Sequence, residues 1–134
     1  MLEQYPNDVK LVFKNFPLTR IHKFAMNAAV AAQAANQQGK FWEYHDELFK
    51  NYNKLNDETF DETAQSLGLD MAQFKKDMEN PALTALVQRD LKDGVDAGVR
   101  GTPTIFINGR LLQQRSLPGF KQVIDEELEK KKNK

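Results

Sequence analysis

The stretch RGTPTIFING, Arg100 to Gly109, constrains the fold more than any other part of the chain. Proline has no backbone N–H to give to a strand ladder, so within sheets it is confined to edges, bulges and first residues. Pro103 therefore marks the point where the apolar run Ile105, Phe106 and Ile107 begins, and its ring fixes the backbone that leads into it. Asn108 and Gly109 follow at once. Asn then Gly between two apolar runs is the strongest short-range hairpin signal, because a type I′ turn needs positive φ at both central residues. The spacing predicts two antiparallel strands, Thr104–Ile107 and Arg110–Gln114.

Upstream the period is mostly helical. Val9 to Phe16, VKLVFKNF, is rich in β-branched and aromatic residues and stops at Pro17, which predicts a first strand. Thr19 is placed to cap a helix through Phe24, Ala25, Ala28, Ala29, Ala32 and Ala35 that stops near Gly39. Phe41, Trp42, Tyr44, His45, Leu48 and Phe49 share the next helical segment, and aromatic residues in that pattern are read as the heart of a core. Asn56 caps a short helix closed by Gly68, Asp70 caps another over Phe74 and Met78, and Asn80-Pro81 starts a longer one toward Gly98. Pro118 and Gly119 precede a last helix with Phe120, Val123, Ile124 and Leu128 on one side. The order is strand, five helical segments, strand, strand, helix, which predicts an α/β or α+β domain with a helical insertion.

Composition removes several functions. Lys plus Arg and Asp plus Glu are each 19, so the formal net charge is zero and no field draws the chain to nucleic acid or to an anionic membrane. No segment has the length and apolarity of a membrane span, and MLEQYPNDVK lacks the basic start and apolar core of a signal peptide. There is no cysteine, which excludes disulfides and thiol nucleophiles, because the thiolate is the attacking species in that chemistry. His22 and His45 stand too far apart, without neighbouring ligands, for a metal site. His22 could carry a proton, but with no nucleophile to serve it is read as a helix-surface or capping residue, and His45 beside Asp46 likewise.

Taken together, FPLTRIHKFAMNAAVAAQAANQQGKFWEYHDELF and DAGVRGTPTIFING resemble the DsbA family of thiol:disulfide oxidoreductases, in its short bacterial branch. The pieces that carry the resemblance are Phe16-Pro17-Leu18, His22 with the alanine-rich segment, Gly39-Lys40-Phe41-Trp42, and Gly101-Thr102-Pro103-Thr104 before a strand. It implies an α/β, thioredoxin-like fold, N-terminally truncated and few-stranded, with residues 1–19 and 81–134 as a partial thioredoxin-like domain and 20–80 as an inserted helical subdomain. It also implies that Pro103 follows a cis bond, and that Arg100, Gly101, Thr102, Pro103 and Thr104 form the substrate-binding loop. There an extended peptide, a thiol-protein substrate or a glutathione moiety would pair by strand addition. Without the resemblance, the same residues are an ordinary turn before a strand.

The family's catalytic Cys-x-x-Cys, which opens its first helix, has no counterpart here, so the resemblance implies a domain with no catalytic residue, cofactor or redox activity of its own. MLEQYP looks like the end of that helix. The family also has a strand between those matching Val9–Phe16 and Thr104–Ile107, so its absence leaves edges open to pairing and predicts a symmetric or swapped homodimer or, alternatively, that the two strands close up and pair directly. The family's location is periplasmic or otherwise extracytoplasmic. Two other readings are a non-catalytic peptide-binding or dimerising module, and a relative of the kappa-class glutathione transferases. The short GTPTIFING hairpin and the small size favour the DsbA side.

Overall fold

The computed structural model describes residues 2–18 and 24–132. The expected Thr19 cap and His22 lie outside the described residues. Six α-helices and one two-stranded sheet are formed among them: α1 (Ala25–Asn36), α2 (Phe41–Lys50), α3 (Asp57–Ser66), α4 (Met71–Met78), α5 (Pro81–Asp96), β1 (Phe106–Ile107), β2 (Arg110–Leu111) and α6 (Leu117–Lys132). The chain divides into two compact units, Lys14–Gly98 and Met1–Phe13 with Val99–Lys134.

The first of these units is a helical cluster built around α1. Val30, Ala31, Ala32, Gln33, Ala34 and Ala35 are buried in succession, so this stretch of helix is enclosed on all sides. Alanine at four of these six positions leaves room for it, with α2, α3, α4 and α5 all packed against α1. Tyr44, Phe60, Phe74 and Val87 fill the space between the helices. Phe24 meets Phe60 edge-on with ring centroids 6.4 Å apart, and Tyr44 lies 5.8 Å from Phe74. The Tyr44 hydroxyl donates to the Phe60 carbonyl at 2.9 Å, and burial pushes its pKa well above the ordinary tyrosine value.

The helix ends follow local chemistry. Asn56, Asp70 and Asn80 accept from the backbone N–H groups of Thr59, Gln73 and Ala82, so each cap satisfies a donor that the helix leaves open. At Gly68, φ is 74°, and the N–H groups of Gly68 and Leu69 return to Gln65 and Ala64, a closure that needs a left-handed residue. Gln38 adds a tie from beyond α1, accepting from the Asp70 N–H at 2.8 Å and donating to the Asp70 carbonyl at 3.1 Å.

Two expectations fail here. Val9–Phe16 forms no strand, since β-propensity becomes a strand only where a partner ladder exists, and among the described residues the sheet holds β1 and β2 only. Instead Asn15 is buried, its backbone N–H and side-chain amide both donating to Asp90 Oδ2 on α5 at 3.1 and 2.9 Å. Trp42 and Phe49 are not core either; they are 43% and 68% exposed. The buried face of α2 is Phe41, Tyr44 and Leu48, and a side chain one residue further on points about 100° away. Trp42 and Phe49 instead flank His45, with ring centroids 5.4 and 4.6 Å from it.

The second unit is the hairpin with α6 and the N-terminal segment. Phe106 pairs with Leu111 and Ile107 with Arg110, and the turn has φ of 49° at Asn108 and 82° at Gly109, the signs a type I′ turn requires. The strands are shorter than expected, although one further bond, Leu112 N–H to the Ile105 carbonyl at 2.8 Å, extends the pairing. Helix α6 begins at Leu117, so Pro118 and Gly119 lie in its first turn rather than before it. Gly119 is buried against the backbone of Gln114, where a Cβ would overlap the carbonyl oxygen.

Arg110 fastens the hairpin to α6, donating to Glu126 at 2.8 Å and to Glu127 at 3.0 Å. Lys130, before Arg110, lowers the Glu127 pKa from 4.5 to about 2. Because the folded value is the lower one, this stabilisation is present above about pH 4.5 and is lost as pH falls toward 2. Acid titration is therefore expected to loosen the hairpin within that window, followed by the amide signals of Asn108–Arg110, and Glu127→Gln should flatten the response.

Candidate functional site

The expected binding loop is exposed and concave. Arg100, Gly101, Thr102, Pro103 and Thr104 line one side of an open groove of about 400 Å³, and Leu111, Leu112, Gln113 and Arg115 line the other. The Thr102–Pro103 peptide bond is cis. The Thr104 hydroxyl donates to the Gly101 carbonyl at 2.6 Å, which closes the loop on itself. From the far wall, the Arg115 guanidinium donates to the Pro103 carbonyl.

All five residues singled out in the sequence are thus brought to one surface, and four more join them. The hairpin explains three of the four. Once Asn108-Gly109 reverses the chain, Leu112 lies against Ile105, so Leu111 to Gln113 run back alongside the loop. That register was available from the Asn-Gly signal. Arg115 had no such signal, because it lies past the paired residues and reaches back through its long side chain.

The groove has backbone and guanidinium groups for hydrogen bonding and leucines for apolar contact, the combination that an extended chain uses when it lies along a strand edge. β1 is paired on one side only among the described residues. With no cysteine in the chain, the groove has no thiol for disulfide exchange. Among the described residues no cluster of His, Asp or Glu could hold a metal ion, and no helix is long and apolar enough to cross a membrane.

The family described as Thioredoxin matches residues 1–126, and the chain belongs to that family. Its fold is a thioredoxin-like α/β domain, mostly helical, with a small sheet. Curated relatives carry another name. The chain is 36% identical over 102 residues to "Na(+)/H(+) antiporter NhaA 3" of Salinispora tropica, a match covering 76% of this chain and 16% of the relative. It is 37% identical over 111 residues to "Na(+)/H(+) antiporter NhaA 1" of Salinispora arenicola, covering 82% of this chain and 17% of the relative. "Na(+)/H(+) antiporter NhaA" of Herminiimonas arsenicoxydans is 36% identical over 109 residues, covering 81% and 17%. The chain spans about a sixth of the length of these relatives.

Proposed function

We propose that this chain is a DsbA-like, thioredoxin-fold binding module that takes an extended peptide, or an extended segment of a thiol protein, along the Pro103 groove and performs no redox step itself. The observation that carries the reading is the groove: Arg100–Thr104 and the returning residues Leu111–Gln113, with Arg115, line one open surface. Peptide recognition by strand addition uses main-chain hydrogen bonds for affinity and side-chain contacts for selection, and Arg115 and Leu111 supply such contacts here. The DsbA-like reading carries an extracytoplasmic location with it.

The test is binding without turnover. Calorimetric titration with extended, apolar-polar alternating peptides should give measurable heat, and Arg115→Ala should weaken binding several-fold while the fold is retained. In the same preparation, insulin reduction and dithiol oxidation should stay at background. Turnover above background would overturn the redox-inactive half of the reading, and silence across a peptide panel would overturn the binding half.

The relatives' names favour a second reading that builds on the first. In it, the module serves a Na(+)/H(+) antiporter as an accessory thioredoxin-like part, while ion exchange belongs to the rest of such a protein, outside the matched stretch. Exchange rates of antiporter vesicles, measured with and without the added chain, decide between an accessory role and none.

A further inference from the structure

The groove at Pro103 carries charge of one sign. Arg100 stands on one wall and Arg115 on the other, and among the described residues no Lys, Asp or Glu lines it. The chain as a whole balances 19 cationic residues against 19 anionic ones, so two arginines without a carboxylate in one groove depart from that balance. A concave surface of a single sign raises the local concentration of ligands of the opposite sign.

Neither guanidinium is neutralised from within. In the same compact unit Arg110 donates to Glu126 and Glu127 at 2.8 and 3.0 Å, whereas no salt bridge among the described residues involves Arg100 or Arg115. Both are exposed. Arg115 donates to the Pro103 carbonyl, which holds its guanidinium at the loop while leaving the other donors of the fork open. The loop itself adds donors rather than acceptors of charge: the backbone N–H groups of Gly101 and Thr102 have no partner among the described residues, and the Thr104 hydroxyl is turned inward to the Gly101 carbonyl.

We infer that the groove selects extended segments carrying an acidic side chain, Asp or Glu, whose carboxylate is set against the guanidiniums of Arg100 and Arg115. The planar fork of arginine matches the two oxygens of a carboxylate, so these residues supply selectivity as well as charge. An acid in the interior of the segment fits better than a free chain end, because a strand laid along the loop presents its side chains to the walls. The inference rests on the peptide-binding reading and adds to it the chemistry that is chosen.

Calorimetric titration of the full chain with acetylated, amidated peptides of one extended sequence, bearing Glu, Gln or Lys at the central position, tests it. The Glu peptide should bind about threefold to tenfold tighter than the Gln peptide, and the Lys peptide more weakly than either. Added salt should narrow the gap, since the pairs are exposed to solvent. That comparison needs no variant. Among variants, Arg100→Gln and Arg115→Gln should each move the Glu-to-Gln affinity ratio toward one, and Arg100→Glu should shift preference toward the Lys peptide, with far-ultraviolet circular dichroism unchanged. Equal affinity for all the peptides would overturn the inference while leaving the peptide-binding reading in place. Binding by none of them would overturn that reading, and the inference with it. A Gln peptide with a free C-terminal carboxylate that matches the Glu peptide would assign recognition to a chain end and overturn the choice of an interior acid. A Glu preference indifferent to both arginine substitutions would place the carboxylate elsewhere and also overturn it.

Discussion

Phe60→Ala is expected to lower the stability of the helical unit by about 3–5 kcal/mol, the range for removing a large aromatic side chain from a packed core. Phe60 is 1% exposed, lies edge-on to Phe24, and has its carbonyl held by the Tyr44 hydroxyl. Truncation removes the ring contacts while leaving the neighbouring groups in place. The surroundings have little freedom to close the gap, because Phe60 packs within a cluster of side chains that are themselves buried. A loss of this size is a large fraction of the ~5–15 kcal/mol that holds a typical domain together. Urea unfolding followed by the circular dichroism of the helices checks it, with Phe60→Leu expected to lie between wild type and alanine. A loss under about 1 kcal/mol would mean that the ring is not enclosed as described.

Asp90→Ala should cost about 2–3 kcal/mol, for a different reason. Its Oδ2 accepts two hydrogen bonds from Asn15, and both residues are buried, so removing the carboxylate strands two donors away from water. The contact with Lys14 contributes little by comparison, because the ammonium side is mostly in solvent. Asp90→Asn separates the two contributions. It retains a carbonyl oxygen able to accept from Asn15 while deleting the charge, so its stability should fall well short of the loss in Asp90→Ala. Equal losses in the two variants would assign the effect to charge rather than to the buried hydrogen bonds.

How far these features could be read from sequence depends on whether the signal is local. The caps at Asn56, Asp70 and Asn80 and the turn at Asn108-Gly109 stand where they were expected, since each rests on a side chain or a φ value that its own neighbourhood determines. Val9–Phe16 has the composition of a strand but forms none, because a strand is a property of two segments and a propensity describes only one. Trp42 and Phe49 are aromatic but out of phase with the buried stripe of α2, and phase decides which side chains are core. The positions 41, 44 and 48 carry the inward stripe of α2, and their neighbours face out.

The Asn15–Asp90 contact is 75 residues long in sequence separation, and nothing in either neighbourhood announces it. At the site, Pro103 and the residues around it were legible from the loop's composition and its resemblance, and Leu111–Gln113 were implicit in the hairpin register. Arg115 became visible only with the fold in hand.

The groove lined by Arg100–Thr104, Leu111–Gln113 and Arg115 is proposed as a surface for extended peptide. Amide-resolved NMR titration of the full chain with such a peptide tests it most directly. Saturable shifts are expected, confined to Arg100–Ile107 and Leu111–Arg115 and diminished in Arg115→Ala, while the amides of α1 to α5 stay in place. Shifts centred on the helical unit, or none at any peptide concentration, would contradict it.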